Sequence, residues 1–93
     1  MQSGPSRPLG GRLREQTFGR VIQKVRKERG MSQEQLGFES GYHRTYISFL
    51  ERGLKSPSLS TIMDLADTLQ IPASELIKRV ERVLAREGRK STR

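Results

Sequence analysis

The chain has 93 residues, 32% of them hydrophobic and 30% charged, which suits one small helical domain with polar ends and excludes a large enzyme with a deep cleft. Eighteen Lys and Arg against ten Asp and Glu give a formal net charge of +8, so polyanions are the expected partners, nucleic acid ahead of anionic membrane. Cysteine is absent, which excludes a disulfide framework and a thiolate metal site.

Residues 1–14, "MQSGPSRPLGGRLR", carry Arg7, Arg12 and Arg14 with no acidic residue, and their Gly, Pro and Ser content predicts a disordered basic arm. Such an arm is either inert or touches phosphate and a minor groove. The stretch has no apolar core of the kind a signal peptide needs, and no later run approaches the roughly 18 apolar residues of a membrane span. The expectation is a cytoplasmic protein with no membrane partner.

Phe18, Val21, Ile22 and Val25 recur at helical spacing and predict a first helix from Gln16 to Glu28, stopped by Gly30. In "MSQEQL", Ser32 is a cap residue and Gln35, three positions on, completes a capping box; the second helix runs from Gln33 to Ser40. Gly41 breaks it, Tyr42 or His43 lies near the next cap, and a third helix covers Arg44 to Arg52 until Gly53. Pro57 keeps Ser56 out of the helical region and Ser58 caps a fourth helix with the stripe Leu59, Ile62, Leu65, Ala66 and Leu69. After the corner at Ile71 and Pro72, the residues Leu76, Ile77, Val80, Val83 and Leu84 mark a fifth helix to about Arg86. No strand pattern competes. The fold class is all-α, in five helices.

Counted from Gln33, Leu36 is fourth, Gly37 fifth, Gly41 ninth, Ile47 fifteenth and Leu50 eighteenth. This is helix-turn-helix spacing: a small fifth residue lets the helices approach, a ninth glycine permits the corner, and the apolar positions lock the pair. With "MSQEQL", "HRTYISFLERG" and "PSLSTI", residues 18–71 resemble the Cro and phage-repressor (XRE) type of helix-turn-helix regulator, and "RTYIS" followed by "ERG" is similar to controller proteins of restriction-modification systems.

The resemblance implies a lambda-repressor-like DNA-binding domain, an arm over 1–14, the helix-turn-helix unit over 15–72, a C-terminal helix over 73–87 and a basic tail over 88–93. It places Arg44, Thr45 and Phe49 of the third helix against base edges. Arg44 suits a bidentate contact to guanine, Thr45 a hydrogen bond or methyl contact, and Phe49 a thymine methyl. Phe49 has the alternatives of folding onto Leu54 or joining a dimer contact. Gln33, at the start of the second helix, matches the phosphate-binding position of the family, and His43, Tyr46, Ser48, Arg52, Lys55 and Ser56 are the further backbone contacts. His43 is alternatively a helix-start residue, and Tyr46 a cover for the adjoining loop. Arg26 and Glu51 match a structural salt bridge that joins the first helix to the end of the third.

Gly37 and Ser40 depart from the family pattern, where alanine and an apolar residue are usual, and mark the second helix as a weak point. One such unit has too little reading surface for selectivity, so a twofold homodimer on double-stranded DNA is expected, with Leu69, Ile71, Leu76, Ile77, Val80 and Leu84 at the contact. A monomer whose last helix completes its own core is the alternative. Residues 31–57 carry three basic and three acidic groups, so selectivity must come from individual side chains. Rival readings are an antitoxin-type module that binds a protein partner and autoregulates its operon, and a non-specific nucleic-acid binder. No catalytic constellation or metal-ligand cluster has convincing spacing. The chain is expected to be no enzyme and to need no cofactor.

Overall fold

The computed structural model describes the backbone of residues 8–91 and the side chains of residues 13–87. Five helices follow one another: α1 (Pro8–Glu28), α2 (Gln33–Ser40), α3 (Arg44–Glu51), α4 (Leu59–Leu69) and α5 (Ala73–Ser91), with no strand among the described residues. Among the described residues no helix is long and apolar enough to cross a membrane.

The helix starts follow from side-chain caps. Ser32 Oγ accepts from the Gln35 amide at 2.9 Å, His43 Nδ1 from the Thr45 amide at 3.0 Å, and Ser58 Oγ from the Thr61 amide at 3.1 Å, each satisfying a donor that the first turn cannot. The expected capping box is only half formed. The Gln35 amide group reaches Glu39 at 3.0 Å, one turn along the exposed face, instead of returning to Ser32. Where α4 ends, Gln70 takes the left-handed conformation (φ 57°) usually left to glycine, and Arg29 holds the corner by donating to the Leu69 carbonyl at 2.7 Å.

α1 begins earlier than its apolar spacing predicts. Pro8 starts the helix, where its missing N–H costs nothing and its fixed φ fits, so residues 8–14 of the expected arm form its first turns. Residues 1–7 lie outside the described residues. α5 likewise continues past Arg86 to Ser91 through part of the expected tail, and residues 92–93 lie outside the described residues.

The core gathers Ile22 and Val25 of α1, Leu36 of α2, Ile47 and Leu50 of α3, Leu65 and Leu69 of α4 and Leu76 of α5, all at 0% exposure. Burying each such side chain contributes about 1.5–3 kcal/mol. This corrects the expected dimer contact. Leu69, Ile71, Leu76 and Val80 are buried in the chain's own core; of that set only Ile77 is exposed, at 36%, and Leu84 is half-buried. A small domain needs α5 to cover α1, and that cover consumes most of the stripe. Leu59, by contrast, opens α4 at 73% exposure and is no part of the core.

Candidate nucleic-acid interface

The corner between α2 and α3 decides how α3 is presented. Gly41 sits at φ 87°, a left-handed position without strain only for a residue lacking Cβ, and the Tyr42 amide closes back onto the Gly37 carbonyl at 2.8 Å. A Cβ on Gly37 would lie 2.5 Å from the Tyr42 carbonyl oxygen, so alanine would push the corner open. Gly37 is therefore a packing requirement. Ser40 returns its hydroxyl to the Leu36 carbonyl at 2.6 Å, one turn back along α2, so its polar group is satisfied within the helix.

With the inner face of α3 locked by Ile47 and Leu50, the residues at positions 44, 45, 48, 49 and 52 share the outer face. Arg44, Thr45 and Arg52 are exposed, and Ser48 and Phe49 are half-buried. The Arg52 guanidinium stands 5.9 Å from the Phe49 ring centroid, a cation–π distance that holds the arginine along the face. Lys55 and Ser56 follow, both exposed. Arg44, Arg52 and Lys55 have no ion-pair partner among the described residues, whereas Arg20, Lys24, Arg26, Arg79 and Arg82 all do. The protein's own carboxylates leave this face positive.

His43 takes the helix-start role: its Nδ1 accepts from the Thr45 amide, and the side chain is exposed beside the outer face of α3. Tyr46 lies off this outer face and packs beside the corner. Its ring lies 5.3 Å from that of Tyr42, whose hydroxyl donates to Asp64 at 2.7 Å and ties the corner to α4. A Thr61 hydrogen bond draws the Tyr42 phenol pKa down, but hydrogen bonding and charge from Asp64, with partial burial, outweigh it and leave the pKa raised. The resulting stability is complete below the ordinary phenol range and is lost only as pH climbs through the raised value.

Behind the face lies a polar network. Glu51, with 1% of its side chain exposed, accepts from Arg26 Nε at 2.6 Å and from a second Arg26 nitrogen at 3.0 Å, and also from Gln33 at 2.9 Å and Gln23 at 3.4 Å. Arg26 donates in addition to the Met31 carbonyl at 2.8 Å. One carboxylate thereby joins α1, α2 and α3. Gln33 spends one amide proton here and keeps another, with its orientation fixed by Glu51. Sequence spacing offered no signal for this tie, because Gln33 and Glu51 are 18 residues apart. Phe38 was likewise missed; it stands 86% exposed on α2 and, with Glu34, Tyr42, His43 and Arg44, lines a shallow depression.

A helix-turn-helix family model matches residues 22–76, which include the whole of α2, α3 and α4 and the start of α5. The chain belongs to the XRE-type helix-turn-helix family of transcriptional regulators. It is 39% identical over 61 residues to the control protein C.BamHI of Bacillus amyloliquefaciens, covering 64% of this chain and 75% of that one. The crystal structure of the restriction-modification controller protein C.AhdI of Aeromonas hydrophila superposes with a TM-score of 0.64 at 41% identity, over 66% of this chain and 92% of the other. The clp gene regulator ClgR of Corynebacterium glutamicum shares the fold at a TM-score of 0.78 and 22% identity, over 86% of this chain and 84% of that chain. Helix-turn-helix regulators of this type are DNA-binding proteins, and α3 occupies the position of the second helix of the motif.

Proposed function

We propose that the protein is a sequence-specific double-stranded DNA-binding regulator that acts as a homodimer on an operator in the cytoplasm. One observation carries the reading: α3 is locked on its inner side while Arg44 and Thr45 are exposed on its outer side, with no ion pair to Arg44 among the described residues. Arg44 and Thr45 read base edges, with Phe49 at the margin of the face. Gln33, His43, Ser48, Arg52, Lys55 and Ser56 meet the sugar-phosphate backbone and set the register. Glu51 acts as a positioning residue, because it aims the Gln33 amide. Tyr46 supports the corner through Tyr42 instead of reaching phosphate.

The phosphate contacts make a quantitative prediction. Affinity for the preferred duplex falls roughly 10³- to 10⁵-fold between about 50 and 200 mM salt, measured by anisotropy. A slope near zero contradicts backbone binding.

Dimerisation doubles a reading face that is only two turns long, with half-sites about one DNA turn apart. Its support is the exposed Ile77, which with the half-buried Pro57 and Ile62 lines a groove of about 230 Å³ floored by the core residues Phe18 and Val80. Ile77→Glu is expected to convert the dimer to a folded monomer in analytical ultracentrifugation and to weaken operator binding at least about tenfold. A wild-type chain that sediments as a monomer, bound or unbound, contradicts the dimer.

A further inference from the structure

A second groove lies on the side of α1 turned away from the reading helix. α1 shows Gly19, Gln23 and Arg26 to α3, while Arg20 and Glu28 on its other side meet α5 through the pairs Arg20–Glu87 at 3.3 Å and Arg79–Glu28 at 3.7 Å. These pairs make α1 and α5 antiparallel neighbours. Between them Val21 and Val83 form an apolar floor, rimmed by Lys24, Arg79, Arg82 and Arg86, in a groove of about 220 Å³.

The rim is positive beyond what the described carboxylates neutralise. Glu28 and Glu75 serve Lys24 at 3.6 Å, Arg79 at 3.7 and 3.5 Å, and Arg82 at 3.8 Å, all long compared with the roughly 2.7–2.9 Å of a charge-assisted hydrogen bond. Arg86 has no ion pair among the described residues. Three of the four cations therefore share two carboxylates around two valines, and the fourth, Arg86, has neither. Duplex DNA on α3 does not account for them, because the groove faces the other way.

We propose that this groove docks an acidic amphipathic helix of a partner protein. A hole framed by two adjacent helices, with lining residues three and four apart, has the form that receives one apolar knob from a third helix. A Leu or Ile side chain seats between Val21 and Val83, and Asp or Glu on the flanking turns of the partner takes Lys24, Arg82 and Arg86. Charge sets orientation and partner choice, and the apolar knob sets register. Since α3 stays exposed, partner and duplex bind together.

The test uses the full chain and a fluorescein-labelled synthetic helix of about three heptads, with Leu at the a and d positions and Glu beside them. Two companions replace Glu by Lys, or Leu by Ala. The acidic Leu peptide is expected to bind at least about tenfold more tightly than either companion and to shift the methyl resonances of Val21 and Val83. Arg82→Gln with Arg86→Gln is expected to remove about tenfold in peptide affinity while the preference among duplexes is unchanged. Equal binding of the three peptides, insensitivity to the double substitution, or methyl shifts confined to Leu59 and Met63 overturns the proposal. The duplex measurement keeps this result separate from that of the DNA-binding reading.

Discussion

Arg26→Ala is expected to lower stability by about 3–5 kcal/mol, measured by urea denaturation at neutral pH. The loss is large because of what remains. Glu51 keeps only 1% side-chain exposure and would lose both charged donors, leaving the amides of Gln33 and Gln23 to face a buried carboxylate. The Met31 carbonyl loses its donor as well. Against a total of about 5–15 kcal/mol for an ordinary domain, this takes a substantial part of the fold. Replacing both partners, as Arg26→Met with Glu51→Leu, should cost less than Arg26→Ala alone, since no unpaired charge is left behind. A single substitution costing less than about 1 kcal/mol would show that the pair does not hold α1 on α3.

Gly19→Ala is expected to destabilise by about 1–3 kcal/mol, even though alanine favours an isolated helix by up to about 1 kcal/mol. An added Cβ falls inside van der Waals contact of the Leu50 carbonyl oxygen and 2.6 Å from that of Glu51. Both are backbone atoms, so no rotamer change relieves the clash. α1 must lift off the end of α3, the same seam that Arg26 and Glu51 close. Gly37→Ala should act with the same sign by opening the corner before α3, and it should also weaken DNA binding. Thermal melts of both variants check this; a raised melting temperature for either would mean that the approach is looser than the geometry states.

Much of the reading unit was legible because its local signals agree. Ser32, Ser58 and the glycine at 41 mark helix ends by chemistry that acts within three or four residues, and α2 and α4 run over the residues the sequence indicates. The outward set at 44, 45, 48 and 49 follows from the period of the helix once Ile47 and Leu50 are placed inside. What spacing cannot show is the destination of a stripe. Leu69, Leu76 and Val80 carry the same periodicity whether they cover a partner or the chain's own core, and only the packed chain assigns them to the core. Long-range polar ties were equally hidden: Gln33 to Glu51, and Arg29 to the Leu69 carbonyl across 40 residues. The early start of α1 escaped because Gly10 and Gly11 weigh against a helix, while Pro8 at the first position weighs only weakly for one.

The most direct measurement is selection of bound duplexes from a random pool by the wild-type protein, repeated with Arg44→Ala and with Thr45→Ala. The wild type is expected to enrich one motif, and each substitution to lose about 1–3 kcal/mol of discrimination at its own base position while weak binding persists. An enriched motif that both substitutions leave intact would put base recognition somewhere other than the outer face of α3.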